Sequence, residues 1–228
     1  MCGRFTLTFT LEQIAEEFDI STGDLNWQPS YNVAPSHRAP VILQSSANKL
    51  SLIRWGIQMH IRKINQVKMV INIRKETIVE KQSFNQLILN NRCLILADGF
   101  YEWEKTRPGN KKNTPYYFFK DNKKIMAFAG LWDEGKELEG GGKAFAIITC
   151  PANQTVGKIH DRMPVILDKV EQERWLEGSS KQDLYPLLSP YPDEKIGSYM
   201  VSPRMNNTDY NNLDCINPVT IQQPGLGY

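Results

Sequence analysis

The chain has 228 residues, and its 27 Lys and Arg against 25 Asp and Glu leave a net charge of +2. A hydrophobic fraction of 41% provides for a real core and excludes a disordered or low-complexity chain. No apolar run approaches the ~20 residues that span a bilayer, and no basic segment followed by an apolar one opens the chain. The expected protein is therefore cytoplasmic, with no membrane partner.

Taken in order, Thr6 to Phe9 reads as a short strand. Thr10, with Gln13 three residues on, makes a capping box for a helix with Leu11, Ile14, Ala15 and Phe18 on one face. Trp27 to Pro40 is rich in Pro, Ser, Asn and aromatics and reads as an ordered loop. Strands are expected at about 40–44, 50–55 and 67–72, and a helix capped by Ser83 runs through Asn90. Cys93 to Ala97 is an apolar run, read as a central strand leading through Asp98-Gly99 into Phe100-Tyr101-Glu102-Trp103. Polar residues around Pro108-Gly109-Asn110 form a hairpin-type loop. Strands recur at about 116–120, 125–131 and 144–149, with a glycine-rich loop at Glu139 to Gly142. Asp168 with Glu171 opens another capped helix, and a short helix is expected near 181–188. Many short strands with few helices predict an α+β fold: one domain over 1–228, with a mainly antiparallel, barrel-like β-sheet and a few flanking helices.

Charge is unevenly distributed. Between Asp24 and Glu76 there is no acid, while Arg38, Lys49, Arg54, Arg62, Lys63, Lys68, Arg74 and Lys75 give that stretch +8. The remainder is net negative, so one region is prepared for an anionic partner, and a phosphate backbone is the leading candidate. The four cysteines at 2, 93, 150 and 215 show no C-x-x-C spacing, and only three histidines are present. Free thiols, no metal site and no cofactor are expected.

Cys2 follows the initiator methionine. Once Met1 is removed, Cys2 carries an α-amine and a thiol, with unperturbed pKa values of roughly 8 and 8.5. The amine condenses with an aldehyde and the thiol can close onto the same carbon as a thiazolidine; alternatively the thiol alone attacks an acyl carbon. While Met1 is attached, the nitrogen is an amide, and the thiol lies one peptide unit from the Met1 carbonyl, placed for an N-to-S acyl shift. A small second residue by itself only favours methionine removal, so the chemistry depends on partners. Three stretches supply candidates. Glu102 alternates with aromatics after a buried strand, where it either faces solvent between inward-packing aromatics or loses solvation and suits a general acid. His160 lies between apolar segments beside Asp161 and Arg162. Asn72 closes an apolar strand and can bind a developing hydroxyl or oxyanion. Arg4, Arg74 and Arg162 have the fork geometry that suits phosphate.

Met1-Cys-Gly-Arg-Phe5, Tyr31-Asn-Val-Ala-Pro-Ser36, Arg54-Trp-Gly56, Asn72-Ile-Arg74 with Glu76-Thr77, Asp98-Gly-Phe-Tyr-Glu-Trp103 and Ile159-His-Asp-Arg-Met-Pro164 stand in the order seen in SRAP proteins, the SOS-response-associated peptidases. The resemblance covers residues 1 to about 219. It implies a monomeric sensor and shield of abasic sites in single-stranded DNA, nucleoid-associated when acting on DNA. Cys2 would be freed by autoproteolysis and would form a thiazolidine crosslink with the ring-opened abasic deoxyribose. By the same resemblance Cys2, Asn72, Glu102 and His160 match catalytic positions, and Arg4, Pro35, Arg74 and Arg162 match DNA-contacting ones. One departure is visible: after Trp-Gly the family usually has Pro and a further Trp, where this chain reads Ile57-Gln-Met-His-Ile-Arg62, with His60 as a partial substitute for base stacking. A class II glutamine amidotransferase also begins Met-Cys-Gly, but its His-Arg-Gly-Pro-Asp and Asn-Gly-Glu segments are absent. A non-catalytic nucleic-acid-binding module would use only the basic stretch.

Overall fold

The computed structural model describes residues 2–61, 66–81, 84–104, 114–120, 124–134 and 142–219, with Ile61 described by its backbone alone. Met1, Arg62, Lys63, Ser83, the 108–110 turn and the start of the glycine-rich loop lie outside the described residues.

Two sheets pack face to face. The first is built from β1 (Phe5–Leu7), β2 (Ser30–Val33), β9 (Gly99–Glu104), β10 (Thr114–Lys120) and β15 (Ile196–Met200), all antiparallel, in the order β15-β10-β9-β1-β2. The second contains β3 (Arg38–Leu43), β4 (Leu50–Trp55), β8 (Arg92–Ala97), β11 (Met126–Asp133) and β12 (Ala144–Pro151). These five close on themselves, because β11 pairs β12 as well as β8, and β12 pairs β4. Among the described strands, β12 pairs in parallel with β4 and with β7 (Asn72–Arg74), and the other strand pairings are antiparallel. The α+β, mainly antiparallel, barrel-like architecture expected from the sequence is therefore present. β13 (Arg162–Pro164) extends the ring beside β12, and β14 (Ile166–Leu167) beside β11.

Alternation along the strands decides what faces the barrel. Phe100 and Phe118 point inward and are fully buried, as is Phe5. Phe5 lies 5.1 Å from Trp55 and 6.2 Å from Phe128, and Phe100 lies 6.1 Å from Phe128, so the two sheets share one aromatic core. The outward face of the first sheet carries Tyr101, Tyr117 and Tyr199 instead.

Helices flank this body. α1 (Leu11–Phe18) has the expected capping box, with Gln13 N–H donating to Thr10 and Thr10 N–H to Gln13. α3 (Asn85–Asn90) and α5 (Lys169–Glu177) occupy expected positions, and Asp168 N–H donates to Glu171 at 2.9 Å. α4 (Gln154–Gly157) and α6 (Lys181–Leu184) are single turns. Among the described residues no helix is long and apolar enough to cross a membrane.

Three local expectations are corrected. Trp27–Pro40 is not one loop: it contains β2 and the start of β3, because its apolar side chains Val33 and Ala39 find buried sheet positions. A helix α2 (Lys75–Glu80), unanticipated, follows β7 directly. The stretch 67–72 is not one strand but two. β5 (Ile57–Ile61) and β6 (Gln66–Val70) form a separate two-stranded ribbon, and β7 begins after Ile71.

That split has a physical cause. β12 is long enough to hold two partners on one edge, β4 at Ala144–Phe145 and β7 at Ile147–Thr149. The chain leaves that edge at Gly56, makes the ribbon and rejoins at Ile71, whose carbonyl accepts from Ile147 N–H and from Trp55 Nε1. Gly56 has φ +123°, and a Cβ there would come within 2.6 Å of Met69 Cγ, so both its backbone and its space require glycine.

Candidate active site and nucleic-acid interface

Cys2 lies just ahead of β1 and is fully buried. Phe5 pairs with Phe100, and Tyr101 N–H donates to the Arg4 carbonyl at 3.0 Å. Continuing this antiparallel register carries the start of the chain alongside Glu102. Glu102 shares the inward face with Phe100 and is 1% exposed, so the sequence pattern of a carboxylate among aromatics becomes a buried acid. The Cys2 Sγ donates weakly to the Arg4 carbonyl at 3.7 Å. Burial first, and the neighbouring Glu102 charge second, push its thiol far above the ordinary range. The thiol is thus held protonated beside a carboxylate that can take the proton.

Asn72 reaches the same place from the other sheet. Its Nδ2 donates to the Cys2 carbonyl at 2.8 Å, while its Oδ1 is buried with no hydrogen-bond partner among the described residues. His160 follows α4, where its N–H donates to the Val156 carbonyl. Its Nε2 faces Glu102 Oε2 at 4.0 Å. Arg162 N–H donates to His160 Nδ1 at 3.0 Å, which makes Nδ1 an acceptor and leaves the proton on Nε2. Asp161 Oδ1, 3.2 Å from the same Nδ1, would favour the opposite assignment. Asp161 is 67% exposed and the backbone donor is fixed, so the backbone bond decides. The four residues Cys2, Asn72, Glu102 and His160, scattered over the sequence, are therefore brought together.

The four residues expected at DNA divide. Arg74 is exposed at the end of β7, and Pro35 is half-buried in the turn between β2 and β3, next to Ser36 with φ +74°. Arg4 and Arg162 are buried and engaged with protein. Arg162 forms a fork with Glu76, Nη1–Oε1 and Nη2–Oε2 both 2.9 Å, and Nη2 donates to the Thr149 carbonyl at 2.7 Å. That fork is the main cause holding the Glu76 carboxyl below its usual range. Arg4 Nη1 donates to Asn32 Oδ1 at 2.8 Å and to the Met205 carbonyl at 2.9 Å.

Sequence reasoning missed three neighbours. Asn32 is the hub joining Arg4 to the C-terminal arm, its Nδ2 facing the carbonyls of Met205, Asn207 and Tyr210 at 3.0, 2.9 and 2.7 Å. It stands inside the Tyr31–Ser36 motif, yet nothing local marks it as a hub. Glu76 was visible as the acid ending the basic stretch. Thr149 carried no signal: β12 registers it with Arg74 of β7, so alternation puts Thr149, Arg74 and Asn72 on one face. Its Oγ1 is buried with no partner among the described residues.

The basic stretch runs from β3 to the start of α2. Arg38, Lys49, Lys68 and Arg74 are exposed. On the ribbon, Val67 and Met69 are 45% and 49% exposed, and His60, opposite Val67, is exposed too. Apolar and basic side chains thus stand together where the usual Trp is replaced. Among the described residues, no group of three His, Cys, Asp or Glu side chains converges as a metal cage.

This combination of a two-sheet α+β fold with a buried second-position cysteine between Asn, Glu and His defines a class. The chain belongs to the SOS response associated peptidase (SRAP) family, whose model matches residues 1–208. It is 36% identical over 223 residues to the abasic site processing protein YoqW of Bacillus subtilis, covering 95% of this chain and 99% of that one. It is 29% identical over 270 residues to the abasic site processing protein HMCES of Xenopus tropicalis, covering 98% and 80% respectively. A crystal structure of a protein from Bacteroides thetaiotaomicron superposes with a TM-score of 0.81 at 25% identity, covering 96% of this chain and all of that one.

Proposed function

We propose that this protein processes abasic sites in single-stranded DNA by forming a thiazolidine crosslink through Cys2 after removing its own Met1. The reading is supported by one observation: the backbone of a buried Cys2 is held by Asn72, Glu102 is near enough to act on the thiol electrostatically, and His160 Nε2 stands 4.0 Å from Glu102.

In the maturation step the Cys2 thiol attacks the Met1 carbonyl, its proton passing to Glu102. Glu102 returns that proton to the nitrogen, which leaves as an amine, and water hydrolyses the resulting thioester to release methionine. In the second reaction the freed amine adds to the deoxyribose aldehyde. Asn72 Oδ1 is the acceptor that orients the amine or the carbinolamine hydroxyl. Glu102 and His160 deliver the proton with which that hydroxyl leaves as water. The thiol then adds to the imine carbon and closes the ring. Maturation consumes one water, the crosslinking reaction releases one, and nothing is oxidised. Burial disfavours a free thiolate, so in this second reaction the amine adds first and sulfur second. The exposed basic residues and the Val67–Met69 ribbon are the proposed track for phosphates and bases.

The test is a denaturing gel with an oligonucleotide containing one abasic site. Mature protein is expected to give a stable shifted band, and intact mass is expected to show loss of methionine. A retained methionine in protein that still forms stable adducts refutes the scheme. Ammonia release from glutamine would favour the amidotransferase reading instead.

A further inference from the structure

The outward face of the first sheet holds a cavity of ≈ 450 Å³, on the side opposite to Glu102 and lined by Thr8, Phe9, Asp98, Tyr117, Phe119 and Tyr199, with Ile216 and Pro218 at its edge. We propose that it is a binding site for a small organic ammonium compound, with the cation seated on the aromatic rings and facing the Asp98 carboxylate.

The rings are arranged for it. Tyr117 and Phe119 lie side by side, centroids 6.0 Å apart and 17° from coplanar, and form a floor. Tyr199 rises from that floor at 48° to Tyr117 and 45° to Phe119. Glycines permit this. A Cβ on Gly99 would come within 2.2 Å of the Tyr117 ring, and one on Gly197 within 2.6 Å of the Phe119 ring. The sheet therefore has two gaps over which the rings lie flat, Tyr117 almost buried at 5% exposure and Phe119 and Tyr199 half-buried at the cavity. Ring faces carry negative quadrupole charge, so a corner of three attracts a cation.

Asp98 supplies the charge. It is 8% exposed, and among the described residues no Lys or Arg approaches it within ion-pair distance. One oxygen accepts from the Thr6 hydroxyl; the other accepts from Thr8 N–H at 2.9 Å and from the Thr8 hydroxyl. A carboxylate has about four acceptor positions, so one is left on Oδ1. Among the described residues no basic side chain lines the cavity, which disfavours phosphate and separates it chemically from the basic stretch. Residues 220–228 contain no Lys or Arg, so that segment has no side chain to neutralise Asp98. The volume lies within the range of small-molecule sites.

The experiment titrates the full chain with choline and, separately, with 3,3-dimethylbutan-1-ol, its uncharged isostere, following tyrosine ring resonances by NMR. Choline is expected to bind with a Kd of roughly millimolar order, as its few heavy atoms allow, and the alcohol at least about tenfold more weakly. Phe119→Leu keeps an apolar side chain but removes a ring face, and Asp98→Asn removes the charge; each is expected to weaken choline about tenfold. Asp98 also ties Thr6 to Thr8, so Phe119→Leu is the deciding variant if Asp98→Asn does not fold. Equal affinity for the alcohol, unchanged choline binding by Phe119→Leu, or no choline binding to the wild-type chain would each overturn the proposal. So would deoxyadenosine displacing choline at lower concentration, since the floor would then be a base-stacking surface.

Discussion

Arg92 and Arg162 are both buried arginines, but their surroundings are opposite in kind. Arg92 gives every guanidinium nitrogen to carbonyls: Nε to Trp175, Nη1 to Ile88 and Leu89, Nη2 to Leu176 and Gly178. It thereby caps the C-terminal ends of α3 and α5, where carbonyls lack helical partners. Burial lowers its pKa to about 10, so it remains charged at neutral pH. Arg162, beside the site, is fastened to Glu76 and Thr149 yet leaves Nε without a partner among the described residues, and Thr149 Oγ1 and Asn72 Oδ1 are in the same condition. Such atoms cost about 1–3 kcal/mol each. Arg54 Nε, Trp132 Nε1 and Asp214 Oδ1 are orphaned elsewhere. What sets this region apart is therefore that Asn72 and Thr149 stand on one face of the β7–β12 pair with Arg162 fastened to Thr149, not the number of such atoms. The contrast is thus between two arginines: Arg92 has every guanidinium nitrogen satisfied, whereas the face that carries Asn72 and Thr149 retains acceptors without partners among the described residues.

Substitutions can break this contrast, beginning with the largest effect. Cys2→Ala is expected to abolish the denaturant-stable adduct with abasic DNA, leaving only a Schiff base trapped by borohydride. A stable adduct without reductant would remove the thiazolidine from the mechanism. Glu102→Gln and His160→Ala are expected to slow crosslinking by roughly 10²–10⁴, with DNA affinity retained in gel-shift assays. If affinity falls and the rate does not, both residues are structural.

On the scaffold side, Arg92→Met should cost about 3–5 kcal/mol in urea unfolding, since it strands a group of buried carbonyls. Thr149→Val removes a hydroxyl that has no partner among the described residues, so its stability should stay the same or rise by up to about 1–3 kcal/mol, while adduct formation slows. Equal losses of stability in the two variants would erase the distinction between the regions.

The buried thiols sharpen it through pH. Burial raises the pKa of Cys2 and Cys93, and that of Cys150 to about 11, above the unfolded value of about 8.5. Folded protein then holds protons that the unfolded chain has released. Stability is complete below pH ~8.5 and falls above it, by about 1.4 kcal/mol per thiol at one unit higher. Arg92 acts in the opposite direction only above about 10, so the window is pH 8.5–10. Cys2→Ala should flatten the slope of unfolding free energy in that window by one thiol's share. The smallest effect belongs to the exposed rim: Arg74→Ala should weaken DNA binding across sequences and reduce the salt slope by ~0.7. An unchanged slope would place the DNA elsewhere.

Much of this molecule is legible in its sequence, because local physics determines it. The capping boxes at Thr10 and Asp168 are satisfied within four residues, and the apolar run of β8 needs only to be buried. The six motifs contain the proposed catalytic residues Cys2, Asn72, Glu102 and His160, and it is their order, which resembles that of a known family, that singles these four out; each residue by itself has an ordinary structural reading. What tertiary structure decided was adjacency and orientation. Gly56 and the edge of β12 split 67–72 into two strands and deliver Asn72 to Cys2. Alternation in β9 turned Glu102 inward. Arg4 and Arg162 read identically to Arg74 as basic side chains, yet Asn32 and Glu76 claim the first two and leave the third in solvent. Charge and spacing are properties of the chain. Which charge is neutralised depends on pairings between residues as far apart as 76 and 162, or 4 and 205, and only the closed sheets bring those together.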